Sequence, residues 1–182
     1  IVVQLIDSDL NEIKLRSMFT QQSDSYIHLA QGTFTDTSVA ATQSDASTEL
    51  ASAFQGDQTS PNLVEFSFDL TESKLTLTFD EVVTLADYSA SSSIKVQSVA
   101  NAGNGVAHLL ETSTAKASGQ AATSRILILD IGVNDANAIK ETATLGTKKT
   151  DSFLSFTSAL IKDIKGNAAT AIVPIAGQGA FA

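Results

Sequence analysis

Apolar and polar positions alternate with a period of two along much of the chain, the signature of strands with one buried face. Lys74-Leu75-Thr76-Leu77-Thr78-Phe79-Asp80 alternates strictly, and Leu63-Val64-Glu65-Phe66-Ser67-Phe68-Asp69-Leu70 does so in part. The polar Thr71-Glu72-Ser73 between them predicts a hairpin turn. Ser93–Val99 alternates again, Asn101–Gly105 has turn chemistry, and Val106–Leu110 reads as the return strand. Ser113–Ser124 is small and polar and reads as a loop. Arg125–Ile131 is an apolar run with the length of a buried strand. Ser152–Phe156 and Ala169–Ile175 complete the set. Only Asn134–Lys140 departs from this pattern, with a capping residue followed by small residues that suggest one helical turn.

Strands joined by short turns, with almost no amphipathic helix, predict an all-β fold of the β-sandwich type. The expected core is Phe66, Phe68, Leu75, Leu77, Phe79, Ile94, Val96, Ile126, Ile128, Phe153 and Ile161.

The chain also resembles itself. Asp9, Asn11, Ile13 and Lys14 recur 126 residues later as Asp135, Asn137, Ile139 and Lys140. Asp24-Ser25-Tyr26-Ile27-His28-Leu29 corresponds to Asp151–Phe156 at a shift of 127, and Asp36 to Asp163 at the same shift. This predicts a tandem array with a period of 126–127 residues. Residues 1–50 are then the C-terminal half of a preceding repeat, 51–60 a linker, 61–176 one nearly complete repeat, and 177–182 the start of the next linker. Half a sandwich cannot bury its own apolar face. The first fifty residues are therefore expected to pair with strands upstream or with a neighbouring copy.

Leu75–Val83, reading LTLTFDEVV, resembles the LTLTFSEPV strand of bacterial Ig-like repeats, with Val82 where those repeats carry Pro. Asp163-Ile164-Lys165-Gly166-Asn167-Ala168 resembles the D-x-x-G-N turn that closes such repeats. Together they cover about residues 61–175 and identify the chain as similar to the Big-type and SwmA-like tandem repeats of large cell-surface and filament proteins. The resemblance implies Ig-like β-sandwich repeats, an extracellular or cell-surface location, a structural or adhesive role and calcium at module junctions. In the first copy the closing turn reads Asp36-Thr37-Ser38-Val39-Ala40, without Gly or Asn.

Composition narrows the function. The net charge is −9, so there is no basic surface for a phosphate backbone. No apolar run approaches the ~18–20 residues that span a bilayer. The opening segment, Ile1–Ile6, lacks the basic flank and apolar length of a signal peptide, as expected of an internal piece of a longer protein. The absence of Cys removes disulfides and thiolate metal sites.

Catalytic groups are sparse. His28 lies on a strand and its counterpart is Ser155, while His108 has no acid identifiable nearby in sequence, so both read as structural. Asp80–Glu81 and Asp7–Asp9 are carboxylate pairs, each read as part of a solvated face; Asp80 and Glu81, adjacent on a strand, would point to opposite faces. No nucleophile elbow or phosphate-binding loop is present, and the expectation is a protein that is not an enzyme. Calcium is the candidate cofactor. Asn134, Asp135 and Asn137 offer oxygen side chains in one turn, and Ser8, Asp9 and Asn11 repeat the pattern. The alternative for the same residues is backbone capping.

The expected partners are neighbouring repeats or copies of the same protein, without nucleic acid or membrane insertion. A carbohydrate- or protein-binding module is the alternative reading. It is weakened by the absence of Trp and the presence of only two Tyr for stacking.

Overall fold

The structure, a computed structural model, describes residues 2–38, 40–89, 94–100, 104–111 and 114–172. It consists mostly of strands in several antiparallel sheets, with few helices. The chain divides into two compact units, residues 1–57 and 58–182.

The second unit builds a four-stranded sheet from β3 (Leu63–Asp69), β4 (Lys74–Thr84), β8 (Thr123–Asp130) and β7 (Ala115–Lys116), in the order β3-β4-β8-β7. A three-stranded sheet has the order β6-β5-β9, from β5 (Lys95–Gln97), β6 (Ala107–Leu109) and β9 (Phe153–Ser155). Register follows from the alternation. Phe66 stands opposite Leu77, which stands opposite Leu127. Phe68, Leu75 and Leu129 form the next row. Val96 and Leu154 join the same buried cluster from the second sheet, and Phe156 from just after β9, so the two sheets share one core.

The expected hairpin forms, but β4 runs on to Thr84, with its pairing to β8 interrupted between Thr78 and Val83. The segment read as a loop contains β7, which pairs with β8. Of the expected core, Ile126 and Ile128 are corrected. Ile126 is 44% exposed, whereas Leu127 and Leu129 are fully buried. The run Arg125–Ile131 is apolar on both faces, so its own alternation has no phase. The pairing of Leu127 with Leu77 sets the face, and a one-residue slip reverses it. Phe153 is likewise only half-buried beside the buried Leu154. Residues 101–103 of the expected turn, the end of the Ala169–Ile175 strand and the closing linker lie outside the described residues.

Between β8 and β9 lies α2 (Val133–Glu141), nine residues where one turn was expected. It buries Asp135, Ala136 and Ile139, residues one and four positions apart that share a helix face.

The first unit contains α1 (Asp7–Leu15) and a two-stranded sheet of β1 (Tyr26–Leu29) and β2 (Ser47–Leu50). Several of its local features have counterparts in the second unit. α1 and α2 are both nine residues long and start 126 positions apart. After each helix comes a 3-10 turn, Gln22–Asp24 and Lys149–Asp151. In the first turn the Asp24 carboxylate accepts from the Thr20 N–H, the Thr20 hydroxyl and the Gln21 N–H. In the second, Asp151 accepts from the Thr147 N–H, the Thr147 hydroxyl and the Lys148 N–H. Ser25 Oγ donates to the Gln21 carbonyl as Ser152 Oγ does to Lys148. The bridge Thr35–Gln43 has its counterpart in Lys162–Ala168, and Leu29–Ser47 in Phe156–Ile172.

These turns titrate alike. Asp24 and Asp151 are both held below the ordinary carboxylate value of 3.8, chiefly by the Thr hydroxyl that donates to each. A folded-state pKa lowered in this way contributes stability above the unfolded value of 3.8 and loses it as pH falls through the folded value. Both carboxylates are exposed, so solvent screens the effect. The melting midpoint should therefore be insensitive to these groups above about pH 5 and decline below that. Thr147→Val should move the Asp151 titration, followed by NMR, back towards 3.8 while leaving Asp24 unchanged.

Candidate functional site

Asp135, on α2, is fully buried and anchors a hydrogen-bond network. Its Oδ1 accepts from His108 Nε2 at 2.9 Å, and its Oδ2 accepts from the Thr114 hydroxyl at 2.7 Å. The Glu111 N–H reaches the same carboxylate at 3.0 Å. Thr114 Oγ1 in turn accepts from the Gly132 N–H at 3.0 Å, at the N-terminal end of α2. Tyr88 donates to the Thr114 carbonyl at 3.3 Å. Burial pushes the Tyr88 phenol up to about 12, and the negative charge of Asp135 adds to the effect. The network thus ties the start of α2 to β6 and to the segment after it.

An Asp–His pair orients a general base in hydrolases, which also need a nucleophile on the other imidazole nitrogen. Among the described residues the His108 imidazole has no second hydrogen-bond partner. The acid that local sequence did not supply is Asp135, 27 positions away. His28 Nδ1 lies 2.9 Å from Thr48 Oγ1 across β1 and β2. Both histidines are strand residues with structural partners.

The oxygen-rich turns do not form the expected calcium ligand sets. Asn134 and Asn137 are exposed while Asp135 is buried, because the segment is helical and its side chains diverge. The oxygens of Asp135 instead accept from three donor groups 21–27 positions earlier in the chain, and no side chain caps the start of α2, so Asp135 ties α2 to distant segments and does not cap its own backbone. In the first unit the pattern inverts. Ser8 and Asp9 are exposed and Asn11 is buried on α1, so that set does not converge either.

Asp80 and Glu81 point opposite ways, as strand geometry requires. Asp80 is exposed and accepts from the N–H and side-chain amide of Asn62 at 2.8 and 2.9 Å, whereas Glu81 is buried. Glu81 has a carboxylate oxygen within 4.8 Å of one on Asp163, a neighbour that local sequence does not reveal. Asp163 is committed to its own turn. It accepts from the Lys165 N–H, the Asn167 N–H and the Asn167 side-chain amide, each at 2.8 Å. The Asp163 N–H closes the turn on the Asn167 carbonyl at 2.9 Å.

The D-x-x-G-N sequence is therefore an aspartate-centred turn. Its first-unit counterpart keeps the centre without Gly or Asn. Asp36 accepts from the Ser38 N–H, the Ser38 hydroxyl and the Thr42 N–H, and its own N–H donates to the Thr42 carbonyl. The loop is two residues longer there, closing at i+6 rather than i+4. In the shorter loop Gly166 sits at φ +91°. Gly166→Ala should destabilise the second unit by about 1 kcal/mol or more, read as a lowered thermal midpoint, because that backbone conformation is strained for any L side chain.

Among the described residues no helix is long and apolar enough to cross a membrane. No known protein family, curated protein or solved structure matches the chain.

Proposed function

We propose that this chain is a structural or adhesive segment of a large extracellular surface or filament protein, built from tandem Ig-like β-sandwich modules. It holds one nearly complete module and the C-terminal half of the module before it. The observation that carries the reading is the recurrence, 127 residues apart, of the aspartate-capped 3-10 turn, with the helix before it and the strand and aspartate turn after it. A scaffold of turns and caps repeated with different surface residues is what an array of load-bearing modules needs. A catalytic site would not tolerate the loss of His28 in the next copy. The acidic charge keeps successive modules soluble and apart. Neighbouring modules, or further copies of the protein, are the natural partners.

Antibodies raised against this chain should label surface structures of intact, unpermeabilised cells. Label confined to the interior of permeabilised cells would contradict the reading. On a glycan array the chain should bind nothing, and saturable binding to a defined glycan would favour the carbohydrate-binding alternative instead.

A further inference from the structure

The two units expose equivalent positions very differently. Leu5 is 44% exposed where Ile131 is 5%, and Met18 is 47% exposed where Leu145 is 1%. Ile27 and Phe34 are 57% and 38% exposed, where Leu154 and Ile161 are 3% and 0%. In the second unit those positions belong to a core completed by Phe66, Leu75, Leu77, Phe79 and Val96, all of which precede residue 127. The strand edge shows the same contrast. β9 pairs with β5 in the register Phe153–Gln97, Leu154–Val96 and Ser155–Lys95. Its counterpart β1 pairs, among the described residues, only with β2.

The free edge can be assigned residue by residue. The Ala51 N–H donates to the Ser25 carbonyl, so Ser25, Ile27 and Leu29 face β2 in the alternating antiparallel ladder. The N–H groups of Tyr26 and His28 therefore point to the open edge. Their counterparts, Phe153 and Ser155, stand opposite Gln97 and Lys95 of β5.

We propose that the open edge of β1 and the apolar face around it are an acceptor for the front half of a module like residues 58–126, joined covalently ahead of residue 1. Its β5-like strand would pair antiparallel with Tyr26–Leu29, placing an apolar residue opposite Ile27 as Val96 stands opposite Leu154. This inference rests on the modular reading and adds the occupant and its register. The second unit identifies the occupant, because it covers the same positions with that half. An unpaired edge beside exposed apolar residues is otherwise an aggregation hazard.

The test is a chimera in which residues 58–126 are fused directly before Ile1 of the full chain, since residue 1 stands where residue 127 does. Residue-resolved hydrogen exchange is then compared with that of the chain alone. The Tyr26 and His28 amides should exchange rapidly in the chain alone and at least about 100-fold more slowly in the chimera. Phe153 and Ser155 should be slow in both, and the chimera should sediment as a monomer. Unchanged exchange at Tyr26 and His28 would overturn the inference while leaving the 127-residue period to its own mechanical test. Protection in the chain alone that rises with concentration alongside dimer formation would overturn it in favour of a second copy.

Discussion

Replacing Asp135 with alanine should lower the stability of the second unit by about 3 kcal/mol, a decrease in thermal midpoint of roughly 10 °C. The carboxylate is fully buried and satisfies His108, the Glu111 N–H and the Thr114 hydroxyl. Removing it orphans donors that water cannot easily reach. An unmade buried hydrogen bond costs more than a made one contributes. Asp135→Asn keeps the shape but offers one acceptor oxygen in place of two, so a loss of about half that size is expected. Chemical denaturation followed by circular dichroism measures both variants. A change under about 0.5 kcal/mol in Asp135→Ala would mean that the network is incidental.

Leu154→Ala and Ile27→Ala should behave as opposites although the two residues lie 127 positions apart at matching places in β9 and β1. Leu154 is 3% exposed within the core cluster, so truncation leaves a cavity and should cost about 3 kcal/mol. Ile27 is 57% exposed, and its truncation should change stability by less than about 0.5 kcal/mol. Local stability from native-state hydrogen exchange separates the two units. In the chimera that supplies a front half ahead of residue 1, Ile27→Ala should become costly. Equal costs in the chain alone would mean that the first unit completes its own core.

Strand existence was legible in the sequence where only one face is apolar. Leu75, Leu77 and Phe79 alternate with Thr and Asp, and all three are fully buried. Phase was not legible in Arg125–Ile131, because a run apolar on both faces carries no phase of its own. There the cross-strand pairing of Leu77 with Leu127 decides. The full length of α2 is not legible in Asn134–Lys140, which has few apolar residues to mark a helix face. That face buries an aspartate, Asp135, whose partners lie at 108, 111 and 114. Oxygen-rich composition pointed to calcium at the same residues. Composition counts ligands but does not aim them, and helical geometry sends Asn134 and Asn137 outward. The spacing of Asp24 and Asp151 was readable, but the Thr hydroxyls four residues before each aspartate became meaningful only as hydrogen bonds.

The modular reading is tested most directly by pulling single molecules of the parent polypeptide in a force spectrometer. Tandem modules predict a regular sawtooth in which each unfolding event releases the slack of about 127 residues, on the order of 400 Å of contour length. Irregular increments, or one event that releases the whole chain, would contradict it.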